Sequence, residues 1–367
     1  MSHTLDRQKL LNYFNFDFSI FNQIDCSKVN KVYKFSNPRF FIEQSAFNAN
    51  SPNLQATFFL DDYLFSLRLE NFKEKNDNVV LICIKDNSEL LDFVLSKIKK
   101  SADENCCDIL VIDDRPENDS VFQVAIKNQI SYLQVSNSAD IYSYSMLNNI
   151  AVYVASVFGK KTCLCWNCDM WPADDQCLSS LLNKHFEHNA CLSGTRLIYP
   201  SEADHRQILK WVPNTNQKIG DQFGKIQHGG IYFQPFSRGE TRSSIIFEPV
   251  HQWRYFESDH FLACRDMPIP AVTGAFWIIN CKDFIEAGGL NPSLPCILQD
   301  IDFCLKLTMN KKMVYYLGSN FLYHAEGFFH TKFKTAEDVK ISDKTIYHCI
   351  WAKHIEVILG LTLPPKN

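Results

Sequence analysis

Residues 79–99 read VVLICIKDNSELLDFVLSKIK. The first six form an unbroken apolar run of strand length, the pattern of a strand buried on both faces. Apolar residues then recur at Leu90, Leu91, Val94, Leu95 and Ile98, the spacing of one helical face, and Ser88 and Glu89 suit a helix start. The alternation continues down the chain. Ile109 to Ile112 is a second buried strand and ends in Asp113-Asp114; Val121 to Asn128 is a short helix; Tyr132 to Val135 is a third strand. A helix over Tyr142 to Val157, a strand over Thr162 to Trp166 ending in Asn167-Cys168-Asp169, and a helix over Cys177 to His185 follow. Strands alternating with helices predict an α/β protein, a Rossmann-like, mostly parallel central sheet flanked by helices. In such sheets ligands bind beyond the carboxyl ends of the strands, where both acidic clusters fall.

Outside this region the signal changes. Residues 1–75 are aromatic and Asn-rich; Ala56 to Leu69 alternates as a strand or two would, and Asn71 to Asn78 reads as a polar linker. From Ser201 to Ile269 the alternation breaks into a loop-rich, aromatic insertion of short strands. Order returns with a strand over Ala271 to Asn280 and a helix over Lys282 to Ala287, closed by Gly288-Gly289. A helix over Asp300 to Met309 and a strand over Met313 to Leu317 complete the pattern.

The 367 residues are 46% hydrophobic and 13% aromatic, which excludes disorder and favours a globular enzyme or a large binding domain. The formal net charge of −4 lacks the concentrated Lys/Arg field that a nucleic-acid partner demands. Met1 to Leu10 has no apolar signal core, and several of the 14 cysteines (Cys83, Cys163, Cys281) sit inside apolar runs. Reduced thiols in a cytoplasmic protein are the simpler expectation. The best apolar stretch, Ile150 to Phe158, is far short of the ~20 residues of a membrane helix.

Four groups of residues are candidates for chemistry. Asp113 and Asp114 can accept hydrogen bonds from a base and from ribose hydroxyls, or simply form a turn. A carboxylate in Asn167-Cys168-Asp169 can hold a divalent cation whose remaining positions bind a diphosphate. The rival there is a soft-metal site, since Cys163, Cys165 and Cys168 form C-x-C-x-x-C, but no second Cys pair or close His pair follows. Asp300, in Gln299-Asp300-Ile301-Asp302, opens a helix either as a cap or as a general base held on a rigid end. His324 and His228 each read as structural or as ligands. There is no G-x-G-x-x-G, no Walker-type phosphate loop and no G-x-S-x-G elbow.

Taken in order, these pieces resemble the family 2 glycosyltransferases of the GT-A fold, from about Val79 to His324. Residues 79–87 resemble the first strand and its nucleotide-contacting turn, and residues 109–114 the strand whose acidic end holds base and ribose. Residues 149–155 (NIAVYVA) resemble the helix carrying an Asn before the metal motif, and Asn167-Cys168-Asp169 stands where D-x-D belongs. Residues 224–231 (GKIQHGGI) resemble a segment of many bacterial members. The most specific run is 272–276 (VTGAF), then 288–291 (GGLN), then 299–305 (QDIDFCL). His324, in Leu-Tyr-His-Ala-Glu, matches the position of a late metal-binding His.

The resemblance implies an inverting transfer from a nucleotide-diphosphate sugar, UDP-sugar favoured, to a hydroxyl of a glycan, lipid-linked or protein acceptor. It implies Asp300 as base and a divalent cation (Mn2+ or Mg2+) on Asp169 and His324. Ile84, Asn87, Asp113, Asp114, Asn149, Asn167, Cys168, Gly274 and Ala275 would line the donor site. His228, Trp277 and Asp302 are candidates for the acceptor side, and Trp253, Tyr255 and Trp277 for stacking on a sugar. The implied organisation is an N-terminal extension over 1–75, a transferase domain over 76–335 with a nucleotide-sugar half (76–200) and an acceptor half (201–335), and a helical tail over 336–367. Asn167 and Gln299 depart from the family's pattern. They sustain an alternative, a catalytically degenerate GT-A-fold protein that binds a glycan or a partner.

Overall fold

The computed structural model describes residues 42–43, 54–60, 63–69, 72–73, 75–114, 116–137, 142–211, 222–237, 245–326, 336–351 and 355–359. The nucleus is the predicted one. Strands β1 (Ile42–Glu43), β2 (Leu54–Leu60) and β3 (Tyr63–Leu69) precede β4 (Asn78–Ile84), α1 (Ser88–Glu104), β5 (Cys107–Asp114), α2 (Ser120–Lys127), β6 (Ser131–Asn137), α3 (Tyr144–Val157) and β7 (Thr162–Asn167). Strands β6, β5, β4 and β7 lie side by side, all parallel.

Strand β4 shows why its sequence is continuously apolar. Val79, Leu81 and Cys83 enter the core on one side of the sheet; Val80, Ile82 and Ile84 enter the core on the other. Helix α1 covers the second side with Leu90, Leu91, Val94, Leu95 and Ile98, and α3 covers the first with Leu147, Ile150, Ala151 and Ala155. Each fully buried Val, Leu or Ile among them contributes about 1.5–3 kcal/mol, so the two-sided strand is held by both layers.

The chain then runs through β8 (Met170–Pro172), α4 (Cys177–Glu187), β9 (Leu192–Ile198), α5 (Glu202–Leu209), β10 (Ile226–His228), β11 (Ile231–Ser237), β12 (Ile245–His251) and β13 (Asp266–Pro268). It ends through β14 (Phe276–Asn280), α6 (Cys281–Glu286), α7 (Gln299–Met309), β15 (Val314–His324), α8 (Ala336–Ile350) and α9 (Ile355–Ile358). Strand β14 is antiparallel to β7 and β9, its neighbours on either side, and β9 is parallel to β15. Strands β11 and β12 form a separate two-stranded sheet within the insertion. Among the described residues no helix is long and apolar enough to cross a membrane, and no cysteine is in a disulfide.

Four places depart from the sequence reading or extend it. Ala271 to Asn280 is a strand only from Phe276; the preceding residues turn past the sheet's carboxyl rim. Strand β9 gave no clear apolar signal because it buries Ser193, Thr195 and Arg196 with tertiary partners, Ser193 Oγ lying 2.8 Å from His185 Nδ1. The polar linker is pinned: buried Asp108 takes the Lys73 N–H at 2.8 Å and Asn76 Nδ2 at 2.7 Å, and pairs with the fully buried Lys160 ammonium. A buried carboxylate requires such partners. The β2–β3 hairpin extends the sheet, β3 pairing antiparallel with β6. Residues 1–41 and 360–367, parts of the expected N-terminal extension and C-terminal tail, lie outside the described residues.

Strand β15 outruns its predicted end and carries a bulge. Leu317 pairs with Thr195 and Phe321 with Arg196, so residues 318–320 loop out. A Cβ on Gly318 would lie 2.3 Å from the Ala263 carbonyl oxygen, and Thr195 Oγ1 donates to the carbonyls of Leu317 (2.9 Å) and Asn320 (3.0 Å). The bulge sets the register that brings His324 to the rim.

Candidate active site at the carboxyl rim

The turn after β7 carries Asn167, Cys168 and Asp169. Trp166 Nε1 braces it by donating to the Met170 carbonyl at 2.9 Å. Strand β8 then pairs with β15, setting His324 opposite Met170, and the Ala325 N–H donates to the Asp169 carbonyl at 3.0 Å. His324 Nε2 thereby lies 3.3 Å from Asp169 Oδ1, with both side chains nearly buried.

The imidazole's other nitrogen determines what this pair can do. His324 Nδ1 lies 2.5 Å from Gln227 Oε1, and Gln227 Nε2 donates to Glu326 Oε2 at 3.2 Å. Glu326 also takes Arg254 Nη2 at 2.9 Å and the Tyr199 hydroxyl at 2.7 Å. An ionised Glu326 only accepts, so it orients the Gln227 amide with its oxygen toward His324. Nδ1 must then donate. In the neutral imidazole, Nε2 presents a lone pair to a carboxylate oxygen. Two acceptors at this separation require a proton or a cation between them. Burial works against the charged imidazole, but the Asp169 carboxylate outweighs it and His324 is held above its ordinary pKa. The same carboxylate oxygen and imidazole nitrogen form a mixed donor set that a divalent cation such as Mn2+ accepts.

Asp300 reaches this rim from the first turn of α7. Its Oδ2 accepts the Gly274 N–H at 2.8 Å and its Oδ1 the Ile301 N–H at 2.9 Å. Burial raises its carboxyl above the usual range, although these two donors pull it down. A Cβ on Gly274 would stand 3.1 Å from Asp300 Cβ, so a larger residue would displace the carboxylate. The Tyr144 hydroxyl donates to the Gly274 carbonyl and fixes that peptide from below. One residue on, the Ala275 carbonyl accepts the Asn167 N–H at 3.0 Å. A continuous path therefore runs from Asp300 through Gly274 and Ala275 to Asn167, Cys168, Asp169 and His324. Leu298, immediately before α7, is left-handed at φ 63°. This strained conformation is tolerated where surrounding structure demands it.

The nucleotide-side candidates diverge. Asp113 accepts from the Tyr132 hydroxyl at 2.8 Å, and burial raises its carboxyl to about 7. Asp114 faces the opposite side of β5, where its charge acts on Cys83 and Tyr142. The strand's period of two separates adjacent side chains in this way. Ile84 is core, Cys168 is fully buried, and Asn87 caps α1 through Leu90 N–H (3.0 Å) while its amide donates to the Trp211 carbonyl (3.1 Å). Asn149 exchanges two 2.8 Å hydrogen bonds with the Leu290 backbone, tying α3 to the Gly-Gly-Leu-Asn loop rather than facing the rim.

The acceptor-side expectations require correction. Trp277 is 1% exposed and stacks on Phe303, so it offers no face to a sugar. Asp302 is 1% exposed, pairs with Lys306 at 3.0 Å and accepts from Trp351 Nε1 at 2.7 Å, which makes it a structural anchor for the end of α8. His228 is 1% exposed, and its Nε2 accepts N–H groups from Gly230 (3.2 Å) and Thr273 (3.4 Å). Its Nδ1 must therefore donate to His251 Nδ1, 3.0 Å away. This neutral pair ties the insertion to the segment holding Gly274. The soft-metal alternative also lacks its cluster: among the described residues no group of three or more His, Cys, Asp or Glu could hold a metal ion. Cys163 and Cys165 enter one core and Cys168 the other.

Burial lowers His251 to about 4 and pushes His228 well down. An unfolded histidine titrates near 6.5. Between these values the unfolded chain binds more protons, so stability is full above about 6.5 and declines as pH falls toward 4, by at most about 1.4 kcal/mol per pH unit for each histidine. Asp113 acts in the opposite sense, so the informative quantity is a difference between proteins. Urea unfolding from pH 7.5 to 4.5 is expected to show a shallower acid loss in His251→Asn than in wild type. Equal slopes would contradict the neutral-pair assignment.

No family model and no curated protein matches this chain. Among solved structures it is similar to GalNAc-T7 with UDP, GalNAc and Mn2+, at 12% identity and a TM-score of 0.46, over 69% of this chain and 44% of that one. It is similar to the mannosyltransferase PcManGT from Pyrobaculum calidifontis in complex with GDP-Man and Mn2+, at 9% identity and a TM-score of 0.41, over 69% and 59%. It is also similar to S. aureus TarS 1–349, at 11% identity and a TM-score of 0.40, over 78% and 76%. The chain thus spans less than two thirds of the first two.

Five site residues escaped the sequence reading: Tyr144, Tyr199, Gln227, Arg254 and Glu326. Gln227 and Glu326 lie in quoted segments, one residue before His228 and two after His324, and their polarity beside buried positions was the available signal. Nothing local marks Tyr144 or Tyr199, whose partners are distant in sequence.

Proposed function

We propose that this chain is an inverting, metal-assisted glycosyltransferase that moves a sugar from a nucleotide-diphosphate sugar, UDP-sugar favoured, to an acceptor hydroxyl. One observation carries the reading: the continuous path that joins a half-buried base candidate, Asp300, to an Asp169–His324 pair suited to a divalent cation, at the carboxyl rim of a mostly parallel sheet. When bound, the divalent cation neutralises charge developing on the diphosphate leaving group. Asp169 and His324 hold it, and the main chain of Asn167 and Ala275 keeps their turn in place. The nucleotide would be received at the ends of β4 and β5, where Asp113 and Asp114 sit on opposite sides of the β5 end. Asp300 takes the acceptor proton on Oδ1 or Oδ2, and its raised pKa makes it a better base than an exposed carboxylate. The Gly274 N–H fixes its aim, which matters because orientation is a large part of the rate. Asn167 and Gln299 leave this arrangement intact, since neither is needed to hold the proton or the cation.

The stereochemical claim has a direct check. With an α-linked UDP-sugar and an acceptor panel, proton NMR of the first product is expected to show a β-linkage. An α-linked first product would contradict single displacement with Asp300 as base.

A further inference from the structure

The array behind His324 is more elaborate than a buried histidine requires. Its ring would be satisfied by one acceptor at Nδ1. Instead Gln227, 3% exposed, touches His324 twice: its Oε1 meets Nδ1 at 2.5 Å, and its Nε2 reaches the His324 carbonyl at 3.4 Å. Gln227 is in turn locked by Glu326, and Glu326 by Arg254 and Tyr199. Arg254, Tyr199 and Glu326 come from three separate segments, so the array crosses from the insertion to the central sheet. Glu326 takes Arg254 Nη2 on both carboxylate oxygens, at 3.0 and 2.9 Å, and the Tyr199 hydroxyl at 2.7 Å. Glu326 therefore stays an acceptor and cannot release the Gln227 amide to flip. The consequence is one tautomer at His324, with Nε2 turned to Asp169.

We infer that Gln227 and Glu326 are positioning residues that fix the tautomer and ring orientation of His324 for divalent-cation binding. The inference rests on the proposed metal site. Partners behind a metal-ligating histidine typically tune affinity by about 10–100-fold. They do so by raising ligand basicity and removing the cost of choosing a tautomer.

The test is Mn2+ titration of the full chain without donor, read by EPR of free Mn2+, with urea unfolding run alongside. Gln227→Met keeps volume but neither accepts from Nδ1 nor donates to Glu326; it is expected to weaken Mn2+ by about 10-fold or more. Glu326→Gln, which removes the charge orienting the amide, is expected to weaken it by at least about 3-fold, and it decides the matter should Gln227→Met not fold. The exchange Gln227→Glu with Glu326→Gln restores an acceptor at Nδ1 and a donor behind it, and is expected to regain most of the wild-type affinity. A purely structural role predicts unchanged Mn2+ affinity in every folded variant, and that result overturns the inference. Wild-type binding abolished by Asp169→Ala but unaffected at Gln227 and Glu326 removes this inference alone. Absence of Mn2+ binding by the wild type removes the metal site with it.

Discussion

Asp300→Asn is expected to lower the rate of sugar transfer by about 10^2–10^4-fold while leaving donor affinity near wild type. The two halves of that expectation have separate causes. Asparagine cannot take the acceptor's proton, so the general-base contribution is lost. Its carbonyl oxygen can still accept the Gly274 N–H that Asp300 now accepts at 2.8 Å, so the loop carrying Gly274 and Ala275 keeps its place. Steady-state kinetics against donor and acceptor read both. A fall in kcat with unchanged donor KM supports the role of Asp300. A variant within about 3-fold of wild type would mean that another group takes the proton, since even modest base catalysis exceeds that factor.

The second large effect is at Asp169. Asp169→Ala removes the carboxylate 3.3 Å from His324 Nε2 and would leave a single protein ligand for the proposed cation. Stabilising a diphosphate leaving group in this way is worth several kcal/mol, so activity is expected to fall on the order of 10^3-fold. Raising Mn2+ should recover little, because the lost group also aims the remaining ligand. The comparison variant is Asp302→Asn. Asp302 is only two residues from Asp300, but it pairs with Lys306 inside the core. That change is expected to cost stability, since breaking a buried ion pair leaves a charge uncompensated. Urea midpoints and transfer rates measured together separate the two sites.

The contrast between these neighbouring acids shows where sequence reading succeeds. Strand β4 and helix α1 were legible because Val79 to Ile84 are all buried and the helix repeats its apolar face at regular spacing. The acidic ends of β5 and β7 were legible because polar residues directly after a buried run must lie at a rim. Asp300 was read as the base candidate and Asp302 as an acceptor-side candidate, although both open the same helix. Only the fold shows that one faces Gly274 and the other Lys306 and Trp351. Trp277 failed for a similar reason: an aromatic near a site motif carries no sign of which side of the sheet it faces, and this one lies against Phe303. Strand β9 was illegible because Ser193 and Thr195 are satisfied by His185 and by the β15 bulge, partners that lie far away in sequence. The array around Gln227 needed the same long-range information. Its members come from four segments, and no periodicity links them.

The central claim is that Asp169 and His324 hold a cation that serves a nucleotide-sugar donor. Its most direct test is nucleotide release by the purified chain from UDP-, GDP-, dTDP- and CMP-sugars, each offered with an acceptor panel, with Mn2+ and with chelator. Release from a nucleotide-diphosphate sugar, UDP-linked first, is expected to require metal and to be lost in Asp169→Ala. Release that persists undiminished in chelator, or no release from any donor together with no thermal stabilisation by donor plus Mn2+, would contradict it.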